Sequence, residues 1–145
     1  LLIDSAHAQP QLFVHRDYHS RNIMLCSDGE LGILDFQYAV MGPITYDLVS
    51  LLRDCYIAWP VDQTEKWVGE FYQKLNLSVD FKTFLRWFDL MGLQLNLKCL
   101  GIFSRFYYRD GKEGYLKEIL RVLDYVMHVC DRYPALAALK RICLP

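Results

Sequence analysis

The chain has 145 residues, enough for one domain of ordinary size. Its hydrophobic share of 53% allows a sizeable core, and its formal net charge of −1 lacks the basic stripe that nucleic-acid binding needs. Five cysteines, odd in number and with no C-x-x-C pair, fit reduced thiols in a cytoplasmic protein better than a disulfide frame or a zinc site.

In chain order, Leu1-Leu2-Ile3-Asp4 lacks both a positive n-region and a starting Met, so it reads as neither a signal peptide nor a natural start. Residues 1–10 read as the frayed end of a helix and a loop, and 11–14 as a short buried strand. Two apolar runs, 23–26 and 31–34, flank Ser27-Asp28-Gly29-Glu30. Asp-Gly between such runs signals a hairpin. Gly42-Pro43 breaks the chain. Thr45 is expected to cap a helix carrying Leu48, Val49, Leu51, Leu52 and Cys55, ended by Pro60. Asp62 and Glu65 make a capping-box-like start for the next, with Trp67, Val68, Phe71, Tyr72 and Leu75 at helical spacing. Asp80 should cap a long helix from Phe81 to about Tyr107, apolar nearly all round and so central. Asp110-Gly111-Lys112 reads as a turn. Leu116, Ile119, Leu120, Leu123, Val126 and Met127 mark a further helix, and Pro134 starts a short last one. The most apolar stretch, 90–103, contains Gln94, Asn96 and Lys98 and is too short and polar for a membrane span. The expected class is α+β, mostly α, in a single domain over residues 1–145.

The chemistry concentrates between Phe13 and Asp47. His15-Arg16-Asp17-Tyr18-His19-Ser20-Arg21-Asn22 follows an apolar strand. An apolar hairpin comes next, then Asp35-Phe36-Gln37. Phosphoryl transfer from a nucleotide needs a carboxylate to accept the proton of the attacking hydroxyl and hard oxygen ligands to hold Mg²⁺. In H-R-D-x-x-x-x-N the acid is the base and the Asn a metal ligand, while in D-F-x the acid is the main metal ligand. That assigns Asp17 as catalytic base and Asn22 and Asp35 as Mg²⁺ ligands. His15 is expected to orient the loop. His19 and Arg21 are taken as the cofactor-binding side chains, in contact with phosphate or substrate. His15 and His19 lie on a loop with no third ligand, which argues against zinc. The acid at Asp47 suits a helix N-terminus.

These residues, with Gly42-Pro43-Ile44-Thr45-Tyr46-Asp47-Leu48, resemble the aminoglycoside-phosphotransferase and choline-kinase group of small-molecule kinases, which share the protein-kinase-like fold. More narrowly, Arg53-Asp54-Cys55-Tyr56-Ile57-Ala58-Trp59-Pro60 and Gly101-Ile102-Phe103-Ser104-Arg105 are similar to the bacterial anomeric sugar kinases. Those act on N-acetylmuramate and N-acetylglucosamine in cell-wall recycling. The resemblance implies ATP and Mg²⁺ as cofactors, an amino-sugar substrate, and bracing of the catalytic loop by Asp47. Tyr38 and Leu95-Asn96 depart from that branch's pattern and bear on substrate identity more than on reaction type. An aminoglycoside or a choline-type alcohol is the alternative substrate. Such cations call for an acidic cleft, but Asp54, Glu70, Asp89 and Asp110 are scattered.

A kinase also needs a Gly-rich loop over the phosphates and a strand lysine. The sequence has no G-x-G-x-x-G, and its first lysine is Lys66. The chain is therefore expected to be the C-terminal lobe of a kinase-like fold, with the N-terminal lobe missing and expected to pack on it. A catalytically silent binding module is the rival from another class.

Overall fold

The computed structural model describes residues 1–143. Leu1–Met91 forms one compact unit and the chain from Gly92 onward a second.

The first unit opens with helix α1 (Leu2–His7), then strand β1 (Gln11–Val14). β1 pairs antiparallel with β4 (Val40–Pro43), in the register Leu12 to Gly42 and Val14 to Val40. Gly42 is required here, because a Cβ would stand 2.6 Å from Val14 Cγ2. β1 was expected to be buried, yet only Val14 is, and Phe13 is 73% exposed. A two-stranded ladder covers one face at most.

Between these strands lies the expected hairpin, β2 (Ile23–Leu25) and β3 (Leu31–Ile33). Ile23 faces Ile33 and Leu25 faces Leu31. The strands are shorter than the apolar runs because residues 26–30 form the loop. Gly29 takes a left-handed φ of 84°, and Cys26 N–H donates to the Glu30 carbonyl at 2.8 Å.

Helix α2 (Tyr46–Leu52) follows, and two expectations about it fail. Thr45 does not cap it: its hydroxyl donates to Gln9 Oε1 at 2.6 Å, tying the loop after α1 to the start of α2. Nor does the helix continue to Pro60. After Leu52, Asp54 accepts backbone N–H groups from Ser20 and Tyr56, and side-chain bonds of this kind compete with the helical ladder. Arg53 pairs with the fully buried Asp89 at 2.5 Å.

Helix α3 (Val61–Gln73) begins at Pro60, whose carbonyl accepts the Thr64 N–H. The expected capping box therefore does not form. Asp62 sits inside the first turn, where an acid still favours the helix dipole.

Helix α4 (Phe81–Tyr108) starts as expected, with Asp80 Oδ1 accepting the Thr83 N–H at 2.8 Å. A hydrogen bond from the Thr83 side chain, with this backbone bond beside it, holds the Asp80 carboxyl below its ordinary value. Phe84, Phe88 and Leu90 are buried on its first half. With Val49, Leu52 and Val68 they form the core of the first unit.

The second unit contains the rest of α4, helix α5 (Leu116–Arg132) and helix α6 (Ala137–Cys143). A Pro134–Leu136 3₁₀ turn leads into α6. Gly111 supplies the expected turn at φ 65°. On α5 the buried stripe is Val122, Val126, Val129 and Cys130, whereas Leu120 is 69% exposed. The apolar arc of α5 is broader than the face that packs, so periodicity placed the seam one flank away. Among the described residues no helix is long and apolar enough to cross a membrane.

Candidate active site

The loop from His15 to Asn22 is held from three directions. Asp47, in the first turn of α2, accepts the His15 N–H at 2.6 Å on one carboxylate oxygen and the Arg16 N–H at 3.0 Å on the other. Arg16 has a φ of 76°, a left-handed conformation that a non-glycine residue adopts only when its surroundings impose it. The bracing that the resemblance implied for Asp47 is thus a pair of backbone bonds across this bend.

His15, 8% exposed, fixes the second direction. Its Nε2 lies 2.8 Å from the Leu34 carbonyl, and its Nδ1 accepts the Asp17 N–H at 3.3 Å. A carbonyl can only accept, so the proton sits on Nε2. The same Leu34 donates its N–H to the Asn22 carbonyl at 2.9 Å. The hairpin therefore returns Asp35 to the side of Asn22.

Asp54 supplies the third direction. It is 2% exposed and accepts the Ser20 N–H at 2.9 Å, where the loop turns into the short 3₁₀ helix Ser20–Asn22. Sequence reasoning missed this bond, placing Asp54 in the resembling segment 53–60 and among scattered acids without a role of its own. No local pattern marks it, because the partners lie 34 positions apart.

Within this frame, Asn22 Nδ2 donates to the Asp17 carbonyl at 2.9 Å and to Asp17 Oδ2 at 3.0 Å. His19 Nε2 stands 3.2 Å from Asp17 Oδ1. The Asp17 side chain is still 61% exposed, so a substrate hydroxyl can reach it. Both Asn22 hydrogens are spent on Asp17, which leaves the amide oxygen for a cation. Asp35 sits in a left-handed conformation at φ 57°, and among the described residues no side-chain partner holds its carboxylate. One carboxylate and one amide oxygen, completed by phosphate and water oxygens, is the donor set that Mg²⁺ takes beside a nucleotide. Among the described residues no cluster of three His, Cys, Asp or Glu forms a self-sufficient metal cage. The residues present fit a cation shared with a phosphate.

His19 and Arg21 converge on one ring. The His19 ring meets Tyr56 edge-on at 5.5 Å, and the Arg21 guanidinium lies 3.5 Å above its face. Tyr38 is 69% exposed on the turn after Asp35. Asn96, in the second unit, is buried with its Nδ2 unbonded.

The profile of the phosphotransferase enzyme family matches residues 2–83, which include every one of these loop residues. The chain belongs to the phosphotransferase enzyme family. Relatives in this family include the N-acetylmuramate/N-acetylglucosamine kinases of Neisseria meningitidis and Pseudomonas putida. The first is 49% identical over 137 residues, covering 91% of this chain and 41% of the relative. The second is 45% identical over 144 residues, covering 96% and 42%. That of Pseudomonas aeruginosa is 43% identical over 144 residues, again 96% and 42%. The chain thus spans about two fifths of the length of the curated relatives it matches. The residues that the family profile matches lie wholly in the first unit.

Proposed function

We propose that this chain is the C-terminal lobe of an ATP-dependent kinase that phosphorylates an amino sugar, N-acetylmuramate or N-acetylglucosamine, in the cytoplasm. The observation that carries the reading is the Asp17–Asn22 pair. An exposed carboxylate is locked to the amide that follows it by five positions, with a partnerless Asp35 carboxylate returned beside it. The names of the relatives supply the sugar.

In this reading Asp17 accepts the proton of the sugar hydroxyl as the phosphoryl group arrives. Asn22, by bonding Asp17 twice, fixes the orientation of that carboxylate. His19 meets the incoming phosphate from the other side of Asp17. Asn22 and Asp35 would hold Mg²⁺, which supplies neutralisation of the charge that develops on the phosphates. Most of the rate would come from positioning and electrostatics. The smaller lobe, with its Gly-rich loop and lysine, would pack on this chain and cover the nucleotide.

Cationic substrates are disfavoured by where the acids go. Asp54 and Asp89 are consumed in buried bonds, and Asp110 pairs with its neighbour Arg109 at 2.7 Å. None forms an acidic wall for an aminoglycoside or choline.

The test is a panel of amino sugars, aminoglycosides and choline, assayed for nucleotide consumption by the full-length protein. Turnover of the two N-acetyl sugars is expected, with none when the anomeric hydroxyl is blocked. Asp17→Asn should lower kcat by ~10² or more while leaving the circular dichroism unchanged. Turnover of aminoglycosides alone, or near-normal activity in Asp17→Asn, overturns the reading.

A further inference from the structure

The Arg21 guanidinium is exposed, stacked on Tyr56, and paired with no acid among the described residues. It precedes Asn22 by one position and shares the Tyr56 ring with His19, which touches Asp17. The guanidinium therefore shares one aromatic platform with the imidazole that touches Asp17. Stacking on a tyrosine face leaves all its N–H groups in the ring plane free, and it restrains the long side chain. The planar fork then points its paired donors outward, the geometry that binds a carboxylate through two parallel bonds.

The two sugars in the relatives' names differ in one chemical respect. N-acetylmuramate is N-acetylglucosamine carrying a lactyl ether, and with it a carboxylate. We propose that Arg21, held on Tyr56, is the residue that recognises that carboxylate and so sets the preference between the acidic and the neutral sugar. The inference rests on the amino-sugar-kinase reading. It assigns Arg21 to the substrate, of the two contacts, phosphate or substrate, that the sequence left open. Tyr56 is its perch, and His19 keeps the ring at a fixed distance from Asp17.

The experiment measures kcat/KM for both sugars with full-length wild type, Arg21→Gln and Arg21→Lys, at saturating Mg-ATP. In Arg21→Gln the ratio should shift about tenfold against N-acetylmuramate, through KM, as loss of a charge-assisted pair predicts. Arg21→Lys keeps the charge and loses the fork, so its ratio should fall between the other two. Added salt should raise the wild-type KM for N-acetylmuramate and leave that of Arg21→Gln flat. An unchanged ratio in Arg21→Gln overturns the inference, including the case in which both sugars decline together or the KM for ATP alone rises. Wild-type protein that turns over neither sugar overturns the underlying reading, and this inference with it.

Discussion

At the scale of single residues, the proposed Mg²⁺ site would have unequal oxygen ligands. Asp35 would bring a carboxylate with no competing side-chain partner among the described residues. Asn22 brings a dipole, and its hydrogens are already committed to Asp17. A carboxylate binds a hard dication more strongly than an amide does. Asp35→Ala should therefore weaken Mg²⁺-dependent nucleotide binding more than Asn22→Ala. The second variant should instead lose turnover, because Asp17 is released. Calorimetric Mg²⁺ titration with a nucleotide analogue separates them. Equal losses of binding would show that the ligand roles are misassigned. Asp54 works differently, since its buried carboxylate accepts backbone N–H groups from Ser20 and Tyr56. It holds the loop that carries Asn22.

At the scale of elements, the helix starts divide into local and long-range cases. Asp80 is a local one: its carboxylate accepts the Thr83 N–H three positions on, so the cap was legible. Hydrogen bonding by the Thr83 side chain, and then by its backbone N–H, lowers the carboxyl pKa from 3.8. A depressed folded value means stability that is present above the unfolded pKa and is lost as pH falls through the folded one. Asp80→Ala should thus lower Tm at neutral pH, and the gap between variant and wild type should close as the solution is taken below pH 3.8. A gap that persists in strong acid would mean that Asp80 acts by something other than its charge. Thr45 is the opposite case, because its hydroxyl goes to Gln9, 36 positions away. On α5 the arc of apolar residues was legible, but which part of it packs was not.

At the scale of the whole molecule, apolar side chains of the two small sheets and of the turn after Asp35 stand in solvent. Phe13, Leu25, Leu31, Phe36 and Met41 are each more than 60% exposed. Exposed apolar surface and open strand edges promote association. The 145-residue chain should fold, be rich in helix and self-associate at micromolar concentration in light scattering. It should bind Mg-ATP no tighter than the millimolar range, about 4 kcal/mol, because water reaches the phosphates and weakens every charge interaction there. A strictly monomeric chain with micromolar nucleotide affinity would show that the nucleotide site is complete within these residues.

The sequence by itself determined the constellation on which the kinase reading rests. H-R-D-x-x-x-x-N, the hairpin and D-F are spaced so that short-range bonds bring Asp17, Asn22 and Asp35 to one place. It also determined the helix order and the Asp80 cap, since periodicity and capping are local. The tertiary structure decided what holds the loop. Asp47 on the Arg16 bend, Asp54 on Ser20 and Arg53 on Asp89 join positions more than thirty residues apart. Asp54 and Asp89 are buried charges, whose demand for partners becomes visible only once the chain is folded around them.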